Sequence, residues 1–248
     1  MIPSIVLPDV FLTFRDKTVS LQKKHAHYLS RVLRLQPGDP VFLLDGRGNR
    51  CRAEVSEINR LSVSLRLGDT EQLDSESPLK ISLVQGLPKA GKMDWIVQKA
   101  TELGVASIVP VITERSQARY SAGRGTGAIE RWRKIAESAT AQSGRGILPQ
   151  IYAPEPLEVF FRKRKHPGSG VVFWEESEKG LKTAIREIGS ADHLEMLVGP
   201  EGGLTAAEIG MAEDAGFIQA SLGPRILRTE TAAVVAVGLL QFALGDLG

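Results

Sequence analysis

At 248 residues, 42% apolar and 24% charged, the chain has room for one large domain or two smaller ones and lies outside the disordered and fibrous classes. A single cysteine, Cys51, excludes an internal disulfide framework and a Cys-rich zinc site, and four scattered histidines argue against a metal cluster. The net charge of +2 hides an asymmetry: residues 1–70 carry 11 Lys and Arg against 7 Asp and Glu, a balance of +4 that points to a polyanion partner, and the remainder carries −2.

The first 70 residues read as strands and turns. "KKHAHYLSRVLRL" is the exception, a helical pattern with Tyr28, Leu29, Val32 and Leu33 along one face. "PVFLLDGRGNRCRAEVSEI" gives two β-rich runs around a Gly/Asn turn, and "LSVSLRLG" alternates with period 2. Together these predict a small β-barrel-like domain over 1–70. The polar, acidic stretch "GDTEQLDSESPLK" places a linker at 71–80.

From 81 to 248 strands alternate with helices. "ISLVQGL" is a buried-type strand, followed by a helix, "KMDWIVQKATELG", with Trp95, Ile96, Ala100 and Leu103 at helical spacing and Gly104 as its stop. "SIVPVI" is the next strand and residues 127–144 a long helix; "VVFW", a helix near 178–188, and "LEMLVG" come after it. The helix "TAAEIGMAEDAG", the strand "FIQASLG" and a terminal helix complete the alternation, which implies a parallel sheet covered on both faces. From Ala232 to Leu244 the terminal helix is apolar nearly all round and so is expected to be buried on every side, within a monomer or in part by a second subunit. No membrane-length apolar run and no signal pattern occur, and a cytoplasmic protein is expected.

Two strand–helix junctions carry the chemistry. "GPEGG" leads into a helix with Thr205 and Glu208 in capping-box spacing, and "LGPRILRTETA" makes the next junction with Thr229 as its expected cap. Both loops follow the carboxyl ends of strands, where open α/β sheets bind ligands. The first has no Lys and matches no phosphate-loop pattern, and Glu201 at its centre would repel a phosphate. Two readings stand at this point. Gly202 and Gly203 make a tight turn with Glu201 in solvent, or they let backbone approach a flat ligand that is cationic or rich in hydroxyls, as S-adenosylmethionine is.

"VGPEGGLTAAEI" with "LGPRILRTETAAVVA", preceded by "KMDWIVQKATELGV", resembles the RsmE family, the 16S ribosomal RNA uridine-N3 methyltransferases of the SPOUT class. "HAHYLSRVLRLQPGDPVFLLDGRG" is similar to that family's PUA-like RNA-binding domain, so the likeness spans nearly the whole chain. The resemblance implies a C-terminal SPOUT domain with a deep trefoil knot, a homodimer with the site at its interface, and no metal or membrane partner. It implies a cofactor pocket around Leu197, Gly199, Glu201, Gly202, Leu222, Gly223, Ile226, Leu227 and Arg228, with Glu175 and Glu176 after "VVFW" as weaker candidates.

The nucleophile would be uridine N3, which must lose a proton. Arg228 or Arg225 are candidates to stabilise the resulting charge, and Glu201 or Glu230 to accept the proton. Carbon-5 methylation normally uses a cysteine, and the only thiol is in the other domain. Candidate contacts to 16S ribosomal RNA or the small subunit are Arg15, Lys17, Lys23, Lys24, Arg31, Arg34, Arg47, Arg50 and Arg52, with Arg115, Arg119 and Arg124 in a Gly/Ser-rich segment. Methylation at another RNA position, and a non-catalytic RNA-binding factor of the same fold, stay open on the sequence.

Overall fold

The structure, a computed structural model, describes residues 2–8, 18–89, 91–116, 125–164 and 169–248, and at 23, 24, 125 and 126 the backbone alone. The chain divides into two compact units, Met1–Glu76 with Glu137–Leu148, and Ser77–Ala136 with Pro149–Gly248.

In the first unit β1 (Ser4–Val6) and β2 (Thr18–Gln22) precede a short helix α1 (Lys23–His27), which runs on as a π-helical turn, Tyr28–Val32. β3 (Pro40–Leu44), β4 (Asn49–Ile58) and β5 (Ser62–Gln72) complete a five-stranded sheet in the order β1-β3-β4-β5-β2, parallel only between β1 and β3. Period-2 alternation puts Val41, Leu43, Cys51, Ala53, Val55, Val63 and Leu65 into one core with Leu29. Half of the expected four-residue helical face is formed, with Leu33 packed against the core beside Leu29. Leu29 is buried, but Tyr28 and Val32, in the π-helical turn, are exposed. The β3–β4 turn is held by Asp45, whose carboxylate accepts from Arg47 N (2.7 Å), Asn49 N (3.0 Å) and Asn49 Nδ2 (2.6 Å).

The second unit is a parallel sheet in the order β12-β10-β11-β6-β7-β8, with β9 also on β7. In chain order its elements are β6 (Lys80–Gly86), α2 (Lys92–Glu102), β7 (Ser107–Ile112), α3 (Gly125–Ser143), β8 (Gln150–Ile151), β9 (Glu155–Pro156) and α4 (Leu157–Lys163). They continue with β10 (Ser169–Phe173), α5 (Leu181–Ile188), β11 (His193–Val198), α6 (Ala206–Asp214), β12 (Phe217–Ala220) and α7 (Thr229–Leu244). The last residues of α3, from Glu137, count with the first unit.

Strands β6 and β11 are buried over most of their length, with Ile81, Leu83, Val84, Leu194, Met196, Leu197 and Val198 supplying the apolar contacts, as helices on both faces of the sheet require. Leu157 and Phe160 of α4 and Ile209 and Ala212 of α6 cover one face, against Val84, Val172 and Leu197. On the other, α2 and α7 pack on each other and α7 lies on β6 and β11. Of the two readings of α7, burial on every side within one chain is not what the fold gives. Ala233, Ala236, Val237 and Leu240 are buried, while Val235, Leu239 and Phe242 stand exposed on one stripe, Phe242 at 64%. On α2, Ile96 and Ala100 are buried but Trp95 is 42% exposed. Because every strand of this sheet is parallel, the loops after β6, β10, β11 and β12 emerge at a single edge.

Candidate active site

Those four loops enclose a cleft of about 700 Å³, within the range usual for small-molecule sites. Its walls include Phe173–Glu175 at the end of β10, Val198–Leu204 without Gly202 at the end of β11, Ser221–Thr229 after β12, and Lys92 at the start of α2.

The β11 loop can form only with glycine at two positions. A Cβ on Gly86 would stand 2.6 Å from Pro200 Cδ, so the end of β6 and the loop touch at backbone distance. Gly203, at φ +71°, turns the chain back with its N–H donating to Pro200 O (3.0 Å), a conformation that disfavours a side chain. The Thr205–Glu208 capping box then starts α6: Thr205 Oγ1 accepts from Glu208 N (3.3 Å) and Glu208 accepts from Thr205 N (2.9 Å). The buried Glu208 also accepts from Glu114 N (2.8 Å), which ties the loop to the end of β7.

Thr229, expected as a cap, has another task. Arg228 is the N-cap of α7 without a side-chain bond, and Thr229 is the first helical residue. Its hydroxyl donates to Gly199 O (2.6 Å) and accepts from Gln85 Nε2 (3.0 Å). Gln85, fully buried on β6, also donates to Gly86 O (2.9 Å). A neutral, buried clip therefore joins the roots of the two loops, with β6 as its post.

A charged clip lies nearer the rim. Lys92 Nζ is 3.2 Å from Glu201 Oε1 and 3.0 Å from Glu230 Oε2, and Lys89 N donates to both oxygens of Glu201 at 3.1 and 3.2 Å. Burial pushes the Glu201 carboxyl up, but its own backbone N–H, that of Lys89 and the Lys92 ammonium outweigh it, so its pKa lies below the ordinary value. Glu230 is lowered against the same opposition by its own N–H, Lys92 and Arg228. The paired Glu230 carboxylate, opposed by desolvation and joined by Glu201, raises Lys92. The carboxylate that makes the β11 loop hostile to phosphate is thus already matched by a cation.

Of the residues proposed from sequence, Gly199, Glu201, Leu222, Gly223, Arg225, Ile226, Leu227 and Arg228 line the cleft. Leu197 is fully buried in β11, and Gly202 faces away, its carbonyl accepting from Arg115 Nη1 (3.0 Å). Glu175 lines the cleft beside Gly203, and Glu176 is not among its walls. Arg225 and Arg228 are exposed, and Ile226 is 87% exposed at the mouth. Among the expected RNA contacts, Arg31 and Arg34 are exposed, and Arg34 has φ +56°. Arg50 is paired with Glu71 (2.7 Å) and stacked over Phe42. Arg15, Lys17, Arg119 and Arg124 lie outside the described residues, as do the side chains of Lys23 and Lys24.

Sequence reasoning missed Lys92 and Gln85. Lys92 was within reach of it: a basic residue opening the helix after β6 sits at the same sheet edge as the two loops. Gln85, an amide inside an apolar strand, was the sole signal of a buried polar clip.

Residues 75–241 match the family model of the RNA methyltransferase domain, and residues 21–68 that of the RNA methyltransferase PUA domain. The chain is 34% identical over 242 residues to the ribosomal RNA small subunit methyltransferase E of Synechocystis sp., covering 97% of this chain and 77% of that one. It is 30% identical over 230 residues to the protein of the same name from Bacillus subtilis, covering 91% and 90%. Among solved structures, the ribosomal RNA small subunit methyltransferase E of Neisseria gonorrhoeae bound to S-adenosyl methionine superposes with a TM-score of 0.90 at 32% identity, covering both chains fully. A methyltransferase from Legionella pneumophila in complex with the same cofactor superposes at 0.92 and 31%, also over both full chains.

Proposed function

The chain belongs to the RsmE family of small-subunit ribosomal RNA methyltransferases, and we propose that it moves the methyl group of S-adenosylmethionine to N3 of a uridine in 16S ribosomal RNA. The cleft carries this reading. It lies at the carboxyl edge of a parallel sheet, it is framed by main-chain groups of two Gly-containing loops, and its central carboxylate is already neutralised. When bound, the cofactor supplies an electrophilic methyl group on a sulfonium.

The backbone of Gly199, Pro200, Glu201, Gly203 and residues 222–228 would hold its adenine and ribose. Gly223, at φ +106°, with nothing within 4 Å of a Cβ built there, leaves that wall open to a flat ligand. Uracil N3 attacks only after losing its proton, and the charge then spreads over O2 and O4. Arg228 and Arg225, exposed at the cleft, are placed to meet that charge. Glu201 and Glu230 are poorly suited as the base, since their ion pairs with Lys92 hold their proton affinity down. We assign Glu201 to loop geometry and the imide proton to water.

The exposed stripe Val235, Leu239 and Phe242 of α7 supports a homodimer. Arg31 and Arg34 on the PUA-like unit, with the +4 balance of residues 1–70, support RNA docking there. The full-length superposition on a family member at a TM-score of 0.90 supports the trefoil-knotted threading of the class. The working compartment is the cytoplasm, where ribosomal RNA is its substrate.

The test is mass-spectrometric mapping of 16S RNA from a strain lacking the gene, with and without complementation. One N3-methyluridine should disappear and return. A full complement of that nucleotide without the gene would refute the reading.

A further inference from the structure

We propose that Lys92 is a positioning residue that sets the gap between the two cofactor loops, through one ammonium shared by Glu201 and Glu230. The inference rests on the cofactor reading above. Lys92 opens α2, whose Met93, Ile96, Val97 and Ala100 are buried, so its side chain starts from a fixed post. Glu201 sits at the tip of the β11 loop, and Glu230 is in the first turn of α7, two residues beyond the β12 loop. The ammonium reaches both at 3.0–3.2 Å and lines the cleft between them.

The Gln85–Thr229–Gly199 clip fixes only the roots of these loops. Their rims are carboxylates that would repel each other, and the three side chains are between 18% and 29% exposed, so solvent screens that repulsion only in part. Lys92 turns a repulsive pair into an attractive bridge and holds the rims at one width. Arg228 also faces Glu230, but it belongs to the β12 loop side and cannot span the gap.

The experiment measures S-adenosylmethionine affinity by calorimetry, and kcat and KM with 16S RNA, on full-length wild type, Lys92→Met, Lys92→Arg and the double variant Lys92→Met/Glu230→Gln. Thermal melting accompanies each. Lys92→Met should weaken cofactor binding by about tenfold or more, with the loss in cofactor KM rather than in kcat. Lys92→Arg should retain affinity to within about threefold, because the bridging charge remains. The double variant should bind better than Lys92→Met alone, because removing one carboxylate relieves the repulsion that the single change uncovers. Unchanged affinity in Lys92→Met, or a double variant no tighter than the single, overturns the proposal. A wild-type protein that binds no S-adenosylmethionine overturns the cofactor reading itself.

Discussion

Thr229→Val removes one hydroxyl and keeps the shape of the side chain. Thr229 is buried, and its hydroxyl is at once the donor to Gly199 O at 2.6 Å and the acceptor from Gln85 Nε2 at 3.0 Å. Valine leaves that carbonyl without this donor. Gln85 Nε2 keeps Gly86 O at 2.9 Å and longer bonds to Val198 O and Gly199 O at 3.4 Å, and loses the Thr229 hydroxyl. One weakened acceptor and one weakened donor in a dry site should cost about 2–3 kcal/mol, since a buried group left unsatisfied costs roughly 1–3 kcal/mol. For a chain of this size that lowers Tm by about 4–12 °C, at roughly 2–4 °C per kcal/mol. Differential scanning calorimetry at neutral pH measures it, with Thr229→Ser as the control that keeps the hydroxyl. A Thr229→Val protein melting within about 2 °C of wild type would refute the buried clip.

Gly223→Val should weaken S-adenosylmethionine binding in calorimetry by about tenfold or more, because φ +106° is a backbone region that a β-branched residue rarely adopts. Glu201→Gln should leave intact the rise of methylation rate with pH above neutrality, while flattening the acid limb of stability. A carboxyl whose folded pKa lies below its ordinary 4.5 adds stability above that value and loses it as pH falls through the folded pKa, which denaturant titration between about pH 3 and 6 reads. Arg228→Lys should lower kcat strongly with little change in either KM, because Lys keeps the charge but loses the planar fork. Phe242→Glu, a charge on the exposed α7 stripe, should shift sedimentation equilibrium from dimer to monomer.

What the sequence made legible is what short-range rules govern. The Thr205–Glu208 box was readable because its two bonds span three residues. The alternation of strands and helices was readable from apolar periods. Thr229 has the same residue type at a similar junction, yet its hydroxyl is claimed by a carbonyl 30 residues earlier, and a local pattern cannot anticipate a competitor that distant. Lys92, Glu201 and Glu230 are likewise brought together only by the order of strands in the sheet, which no period encodes. The terminal helix shows the limit from the other side. Apolarity all round said that every face needs cover, but not that α2 and the sheet supply it on one side and leave Val235, Leu239 and Phe242 in the open.

The same reasoning bears on how the chain is to be divided for experiment. Composition marks a polar stretch near 71–80, but nothing in it reveals that Glu137–Leu148 joins the first unit. That membership is made by contacts across the chain: Arg145 bonds Glu76 at 2.6 Å, Glu76 in turn accepts from Gly146 N and Ile147 N, and Gly48 N donates to Gly146 O at 3.0 Å. Arg145 is buried, so removing the Glu76 carboxylate would take a charged partner from a guanidinium in a dry site, an expensive change. Cutting the chain in the linker would therefore expose the surface that residues 137–148 bury against Gly48 and Leu73, and any loss of function would confound damage with loss of RNA docking. Point changes at Arg31 and Arg34, exposed on the intact unit, separate the two effects: RNA affinity should fall while cofactor binding and melting temperature hold.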